Sequence, residues 1–299
     1  MISLNGIFAP LATPFAANGD IDTAAFGYNI RAHLDAGLSG VVIAGSTGEA
    51  ALLDESERSS LVEVAREIVP RGKALIVGAG AESTRYAIRL AKNAATRGAD
   101  AVLVVAPHYY SAAMNSDALL KHYRAVADAS PIPVILYNIP KYMHFALPAP
   151  VVAELARHPN IIGIKDSSGN REIMAGFAEA RSASFSLISG SGALLQYALG
   201  LGATGGILGV SLFAPSLALE ILSAMKRGDA AAASNAQEKL SPLHMKIVAE
   251  LAVAGVKAAL DVVGLKGGAL RSPLLPLGAV ERAEVAGLIK AAQLQPLAS

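Results

Sequence analysis

Short apolar runs rich in Val and Ile recur along the chain at Gly6–Ala12, Gly40–Ala44, Ala74–Gly78, Ala101–Ala106, Pro133–Tyr137, Ile161–Lys165, Phe185–Ser189 and Gly205–Gly209. Each is nearly continuous in apolar character, the pattern of a parallel strand covered on both faces; a half-exposed strand would alternate. Between them, apolar residues fall at helical spacing over Asp22–Ala36, Asp54–Val69, Ser83–Thr96, Asp117–Ala129, Pro148–Arg157, Glu172–Ala180, Ala193–Leu199 and Pro215–Met225. Asp54 with Glu57 three residues on predicts a capping box, and Ser83 predicts an N-cap. Eight strands alternating with eight helices predict an α/β fold, a closed (β/α)8 TIM barrel. An open doubly wound sheet is the alternative, but it usually has fewer strands, and no Gly-rich dinucleotide fingerprint follows the first run. After Arg227 the strand signal ends, and Asp229–Leu251, Ala254–Val263 and Val280–Ala292 read as helices. The expected organisation is a barrel over 1–227 and a helical extension over 228–299 packed on it as one structural unit, since no Gly/Ser linker separates them.

Composition narrows the classes of function. Hydrophobic residues make up 53% of the 299 residues and charged residues 16%, which suits a large core and leaves apolar surface for contacts between subunits. The net charge of +1 lacks the cationic excess that gripping nucleic acid needs. With no Cys, disulfides and thiolate metal sites are impossible, and a cytoplasmic setting is expected. Ile7–Phe15 is interrupted by Pro10 and Pro14 with no basic segment before it, so it does not read as a signal peptide. Ser182–Leu219 carries no charge, but its repeated glycines and Pro215 suit buried strands and short helices better than a membrane span. The expected partners are therefore small molecules, with neither nucleic acid nor membrane.

In such a barrel the reacting groups sit at the C-terminal ends of strands and in the loops that follow. Lys165 ends the run Ile161-Ile162-Gly163-Ile164 and is expected at the barrel mouth. Apolar surroundings favour the neutral amine, which can attack a ketone; the competing reading is a structural lysine paired with a carboxylate such as Asp166. Tyr137 ends the preceding strand and could carry protons there, or simply fill the rim. Gly45-Ser46-Thr47-Gly48-Glu49 offers two hydroxyls on a backbone open to close approach, suited to a carboxylate, though glycine-rich turns are common. Ser167 faces the same side as Lys165 if the strand continues, and small residues follow the next two strands at Ser189-Gly190-Ser191 and Gly205-Gly206-Ile207. The six histidines at 33, 108, 122, 144, 158 and 244 form no metal-binding pattern.

Together these motifs resemble the dihydrodipicolinate synthase and N-acetylneuraminate lyase family of pyruvate-dependent aldolases. Its marks are Gly45-Ser46-Thr47-Gly48-Glu49, Tyr137-Asn138-Ile139-Pro140 and Gly163-Ile164-Lys165-Asp166, each after the expected strand. The resemblance implies Lys165 as the Schiff-base lysine, Tyr137 as the proton shuttle and Thr47 as a relay hydroxyl. It implies that Ser46 holds the keto-acid carboxylate and that Gly190 and Ile207 line the pyruvate pocket. Tyr110 matches a relay tyrosine contributed by a neighbouring subunit, with Tyr109 the rival assignment, and a homotetramer built as a dimer of dimers follows. No cofactor or metal is implied, since the imine on Lys165 does the chemistry.

One position departs from the pattern. Dihydrodipicolinate synthases usually carry Arg five residues after the strand-end tyrosine, where it binds the second substrate's carboxylate; here Tyr142 stands there, with Lys141 and His144 as possible substitutes. Pro107-His108-Tyr109-Tyr110 and His158-Pro159-Asn160-Ile161-Ile162-Gly163-Ile164-Lys165-Asp166-Ser167 look most like 4-hydroxy-2-oxoglutarate aldolases, which release pyruvate and glyoxylate. The expected function is that cleavage. Its alternatives are condensation of pyruvate with aspartate semialdehyde, as in a 4-hydroxy-tetrahydrodipicolinate synthase, or cleavage of a 2-keto-3-deoxy sugar acid. Outside the aldolases, a keto-acid-binding barrel without turnover and a phosphate-binding barrel using Gly205-Gly206 remain as other classes.

Overall fold

The computed structural model describes residues 2–297. Eight parallel strands close a barrel in chain order: β1 (Gly6–Pro10), β2 (Gly40–Ile43), β3 (Ala74–Gly78), β4 (Ala101–Val105), β5 (Val134–Asn138), β6 (Ile161–Asp166), β7 (Ser186–Ser189) and β8 (Gly205–Ile207). The barrel shuts where β8 pairs with β1, with Gly6 opposite Gly205 and Phe8 opposite Ile207. Closure at that seam requires glycine, because a Cβ on Gly205 would lie 1.8 Å from the Gly6 carbonyl oxygen. The strands are buried almost throughout, in keeping with their unbroken apolar sequence.

The helical layer follows the expected alternation: α1 (Thr23–Asp35), α2 (Glu55–Ile68), α3 (Thr84–Thr96), α4 (Ser116–Ala129), a one-turn α5 (Pro140–Met143), α6 (Ala149–Leu155), α7 (Arg171–Ala178), α8 (Leu195–Gly200) and α9 (Pro215–Arg227). Asp54 and Glu57 form the expected capping box at α2, and the Ser83 hydroxyl accepts from the Tyr86 N–H at α3. Short 3₁₀ turns at Ala50–Leu52, Ser111–Ala113 and Gly209–Leu212 occupy mouth loops that the sequence gives no periodic signal for. The last of these cuts β8 short of the expected Gly209.

Beyond α9, the extension comprises α10 (Ala230–Leu243), α11 (Ala252–Val262) and α12 (Ala279–Ala291). The expected single helix over Asp229–Leu251 is not continuous. Pro242 sits inside α10, a π-helical turn covers His244–Glu250, and Ala252 adopts φ 51°. Proline cannot donate its missing N–H, and a wide turn absorbs the mismatch. No described helix is long and apolar enough to cross a membrane; the uncharged Ser182–Leu219 stretch is divided among β7, α8, β8 and the start of α9.

His33, His122 and His244 are buried, and burial lowers the pKa of all three rings. His122 meets the Thr84 hydroxyl at 2.9 Å through Nδ1, while its buried Nε2 has no partner among the described residues. The His244 Nδ1 accepts from the Gly192 N–H at 3.2 Å, which leaves Nε2 to donate to the Ser191 hydroxyl at 3.3 Å. Burial pulls His122 and His244 down from 6.5 to about 4. The unfolded chain therefore binds more protons than the folded one between these values, and stability falls as pH drops through that window. The expected loss is about 1.4 kcal/mol per pH unit for each ring below its unfolded value. Urea denaturation at pH 7 and pH 5 checks this: the difference should shrink in H122N, and a stability that is flat across the interval would refute it.

Candidate active site

Strand register builds the site. β5 and β6 pair so that Tyr137 lies beside Lys165 and Asn138 beside Asp166, which sends Tyr137 and Lys165 to the same face. Both are buried at the ends of their strands. The Lys165 amine lies over the Tyr137 ring, 4.2 Å from its centroid. The Ser46 hydroxyl approaches the Tyr137 hydroxyl at 3.5 Å, the outer limit of a hydrogen bond. Three of the expected residues, two from strand ends and one from the loop after β2, thus meet at one point. Thr47 follows Ser46 and is half-buried, with no side-chain hydrogen bond among the described residues.

The competing reading of Lys165, a structural ion pair with Asp166, is not realised. The Asp166 carboxylate accepts from Asn138 Nδ2 at 2.7 Å, from the Ser168 hydroxyl at 2.8 Å and from the Ser168 N–H at 3.1 Å. Burial raises the Asp166 pKa, and the bonds from Asn138 and Ser168 oppose the rise. Asn138 also accepts from the Leu147 N–H at 2.9 Å, so this polar cluster fixes the loop after β5. Among the described residues, Lys165 has no carboxylate within 4.0 Å.

A cavity of about 920 Å³ opens at this mouth and is walled by Ser46, Tyr137, Ile139, Tyr142 and Tyr110 among others. Lys165, Thr47, Ser167, Gly190 and Ile207 are not in its wall. Gly190 and Ser167 are neighbours: the Gly190 N–H donates to the Asp166 carbonyl at 2.7 Å, and a Cβ at 190 would fall 1.9 Å from the Ser167 hydroxyl oxygen. Ile207 is fully buried on β8. Tyr109 and Tyr110 pack edge to face at 5.0 Å and are 78% and 70% exposed, and only Tyr110 turns toward the cavity. Within one chain Tyr110 makes no hydrogen bond to Ser46, Thr47 or Tyr137 among the described residues.

The candidates to replace the missing arginine are engaged or turned away. Lys141 donates to the Ala249 carbonyl at 2.7 Å, a group on the π-helical turn, and its ammonium lies 5.7 Å from the Tyr142 ring centroid. His144 is exposed in a left-handed conformation and is not in the cavity wall. Arg58 does reach the wall, but its guanidinium donates to the Ala50 carbonyl and, at 3.3 Å, to the Gly78 carbonyl. Tyr142 itself faces the cavity as a neutral phenol, its pKa raised by burial and by the proximity of Tyr137.

Sequence reasoning missed the far wall, which comes from the extension: Leu251, Ala252, Val253 and Ala254 all line the cavity. Pro242 was the available sign that the helix there would break. Among the described residues, no group of three or more His, Asp or Glu side chains converges to hold a metal ion.

Comparison with known proteins agrees with this arrangement. The profile of the dihydrodipicolinate synthetase family matches residues 3–292. A 4-hydroxy-tetrahydrodipicolinate synthase of Acidiphilium cryptum is 37% identical over 281 residues, covering 94% of this chain and 96% of that protein. A dihydrodipicolinate synthase from Bacillus anthracis superposes with a TM-score of 0.93 at 30% identity, covering 97% of this chain and 99% of the other. A prophage protein of the dihydrodipicolinic acid synthase family from E. coli, solved in complex with pyruvate, gives a TM-score of 0.92 at 28% identity over 98% of this chain and 100% of its own. This chain belongs to the dihydrodipicolinate synthetase family of class I, pyruvate-dependent aldolases and lyases.

Proposed function

We propose that this pyruvate aldolase works through an imine on Lys165 and cleaves 4-hydroxy-2-oxoglutarate to pyruvate and glyoxylate. The observation that carries the lysine chemistry is the buried Lys165 amine, free of any carboxylate and stacked on the Tyr137 ring at 4.2 Å. The amine attacks the C2 carbonyl of the keto acid and water leaves. Tyr137 takes the proton from the C4 hydroxyl, the C3–C4 bond breaks, and its electrons flow into the protonated imine to give an enamine. Protonation at C3 and hydrolysis release pyruvate and restore the amine. Ser46 receives the C1 carboxylate beside Tyr137, Thr47 extends the relay toward Tyr110 of a neighbouring subunit in a homotetramer, and Ser167, Gly190 and Ile207 complete the keto-acid pocket. The imine is the electron sink, so this cycle calls on no added cofactor.

The relatives' names favour a second reading, condensation of pyruvate with aspartate semialdehyde. Chemistry at position 142 argues for the cleavage. In glyoxylate the carboxylate is bonded directly to the carbonyl carbon, whereas in aspartate semialdehyde it lies two carbons further out. The distant carboxylate is the one that a guanidinium would meet bidentately. Here that place holds the neutral Tyr142 phenol, and Lys141 is bound to the Ala249 carbonyl. A near carboxylate can be held by hydroxyls close to the lysine.

Two experiments test these steps separately. Borohydride reduction with pyruvate should leave a stable adduct on the Lys165 peptide, absent in K165A; an unmodified peptide under conditions that trap a control aldolase would reject the lysine chemistry. Y137F should keep the adduct but lose about 10²–10⁴-fold in kcat, the usual worth of a proton-transfer group. For the substrate, pyruvate release from 4-hydroxy-2-oxoglutarate should exceed condensation with aspartate semialdehyde, with 2-keto-3-deoxy sugar acids run alongside. Y142R should shift the ratio toward aspartate semialdehyde, and preferred condensation in the unmodified chain would overturn the cleavage reading.

A further inference from the structure

The loop that carries Ser46 and Thr47 ends in Glu49, and Glu49 is tied into the C-terminal extension. Its residue adopts φ 56°, a left-handed conformation that glycine takes without strain and glutamate does not. Its side chain is fully buried. Oε1 lies 2.5 Å from the Lys257 ammonium on α11, and Oε2 accepts from the Arg271 N–H at 2.9 Å. Among the described residues, the ion pair with Lys257 is the polar contact that Oε1 makes.

The surroundings hold both partners in place. Lys257 donates to the Ala269 carbonyl at 2.5 Å, and the Lys257 ammonium and Arg271 guanidinium lie 4.7 and 4.2 Å from the Phe15 ring centroid. Arg271 grips both Glu57 oxygens, at 2.5 and 2.6 Å, at the start of α2. The Gly48 carbonyl, next to Glu49, accepts from the Thr13 hydroxyl at 2.8 Å. Gly48 and Glu49, the two residues that follow the Ser46–Thr47 turn, are thereby both held.

Stability alone does not account for this arrangement. Removing two opposite charges from water costs about as much as their attraction returns, and apolar residues of similar volume often serve a core as well or better. A glycine at 49 would also relieve the left-handed backbone. What the charged pair adds is a fixed distance and direction between α11 and the turn, which a greasy contact does not impose. Burial pulls the Lys257 pKa down, while the Glu49 carboxylate beside it pulls it back up.

We propose that Glu49 and Lys257 are a positioning pair that sets the Ser46–Thr47 turn for the keto-acid carboxylate, making the C-terminal extension a working part of the active site. The inference rests on the reading above that Ser46 and Thr47 receive that carboxylate. Glu49 borders the cavity beside Ser46, but its carboxylate is turned to Lys257 and the Arg271 N–H, and in this proposal both residues act through the turn.

The isosteric variant E49Q and the variant K257M separate positioning from bulk stability. In both, KM for the keto acid should rise about 10-fold or more, the size expected when a group on a charge-assisted carboxylate contact is misplaced. The borohydride adduct on Lys165 should still form in full at saturating pyruvate. Combining the two substitutions should cost no more than the worse single one. A purely structural role would lower the melting temperature or the folded fraction and leave the KM of the folded enzyme within twofold of the unmodified chain. That outcome in E49Q, or a loss confined to the amount of folded protein, overturns the proposal. The unmodified enzyme is trapped first: no adduct there would reject the Schiff-base reading itself, whereas an adduct with unchanged KM in E49Q rejects only the positioning pair.

Discussion

A lysine amine held out of water with no carboxylate beside it is the constraint around which the rest of this molecule is arranged. A buried ammonium ordinarily demands a counter-charge, and the obvious candidate stands next to it in sequence. Asp166 is turned into its own cluster with Asn138 and Ser168, so Lys165 is left with the Tyr137 ring and the mouth of the barrel. Parallel strands in register make this possible, because residues paired across β5 and β6 alternate faces together: Tyr137 with Lys165 on one face, Asn138 with Asp166 on the other. The pleat of the strands thus sends the Lys165 amine and the neighbouring Asp166 carboxylate to opposite faces.

Much of this was legible in the sequence. Eight nearly continuous apolar runs read as strands covered on both sides, and their number favoured a closed barrel over an open doubly wound sheet. Lys165 and Tyr137 were legible for a related reason: a polar residue ending an apolar strand must emerge at the mouth. Position in a period is what a sequence displays. It displays poorly what depends on a single backbone angle or on a contact between distant segments. The φ of 51° at Ala252 and the approach of Lys141 to Ala249 are features of this kind, which no periodicity in the sequence announces. Glu49 shows the limit well. It was visible as the last residue of a motif, but its partner Lys257 lies 208 positions along the chain, on a helix that carries no sign of the pairing.

These long-range contacts change what the extension is. A helical tail read from periodicity is a cover. In the structure it supplies a wall of the cavity through Leu251–Ala254, a carbonyl that occupies Lys141, and two groups that hold Glu49. The barrel strands therefore carry Lys165 and Tyr137, and the tail supplies part of the wall of the cavity beside Tyr137.

That division bears on how far likeness to relatives extends. Identity of 37% spread over 94% of the chain carries the fold and the pyruvate half of the reaction, since those rest on the strand ends. The second substrate is chosen by a handful of side chains grafted on that frame. A charge-assisted hydrogen bond is worth about 1.5–3 kcal/mol, or roughly 10–100-fold in affinity. One side chain at position 142 can therefore move preference between aldehydes by more than the remaining differences between relatives would suggest. With Tyr142 in the wall and Lys141 bound to backbone, position 142 offers a phenol where a distant carboxylate would need a cation, and that difference is the ground on which the proposed cleavage rests.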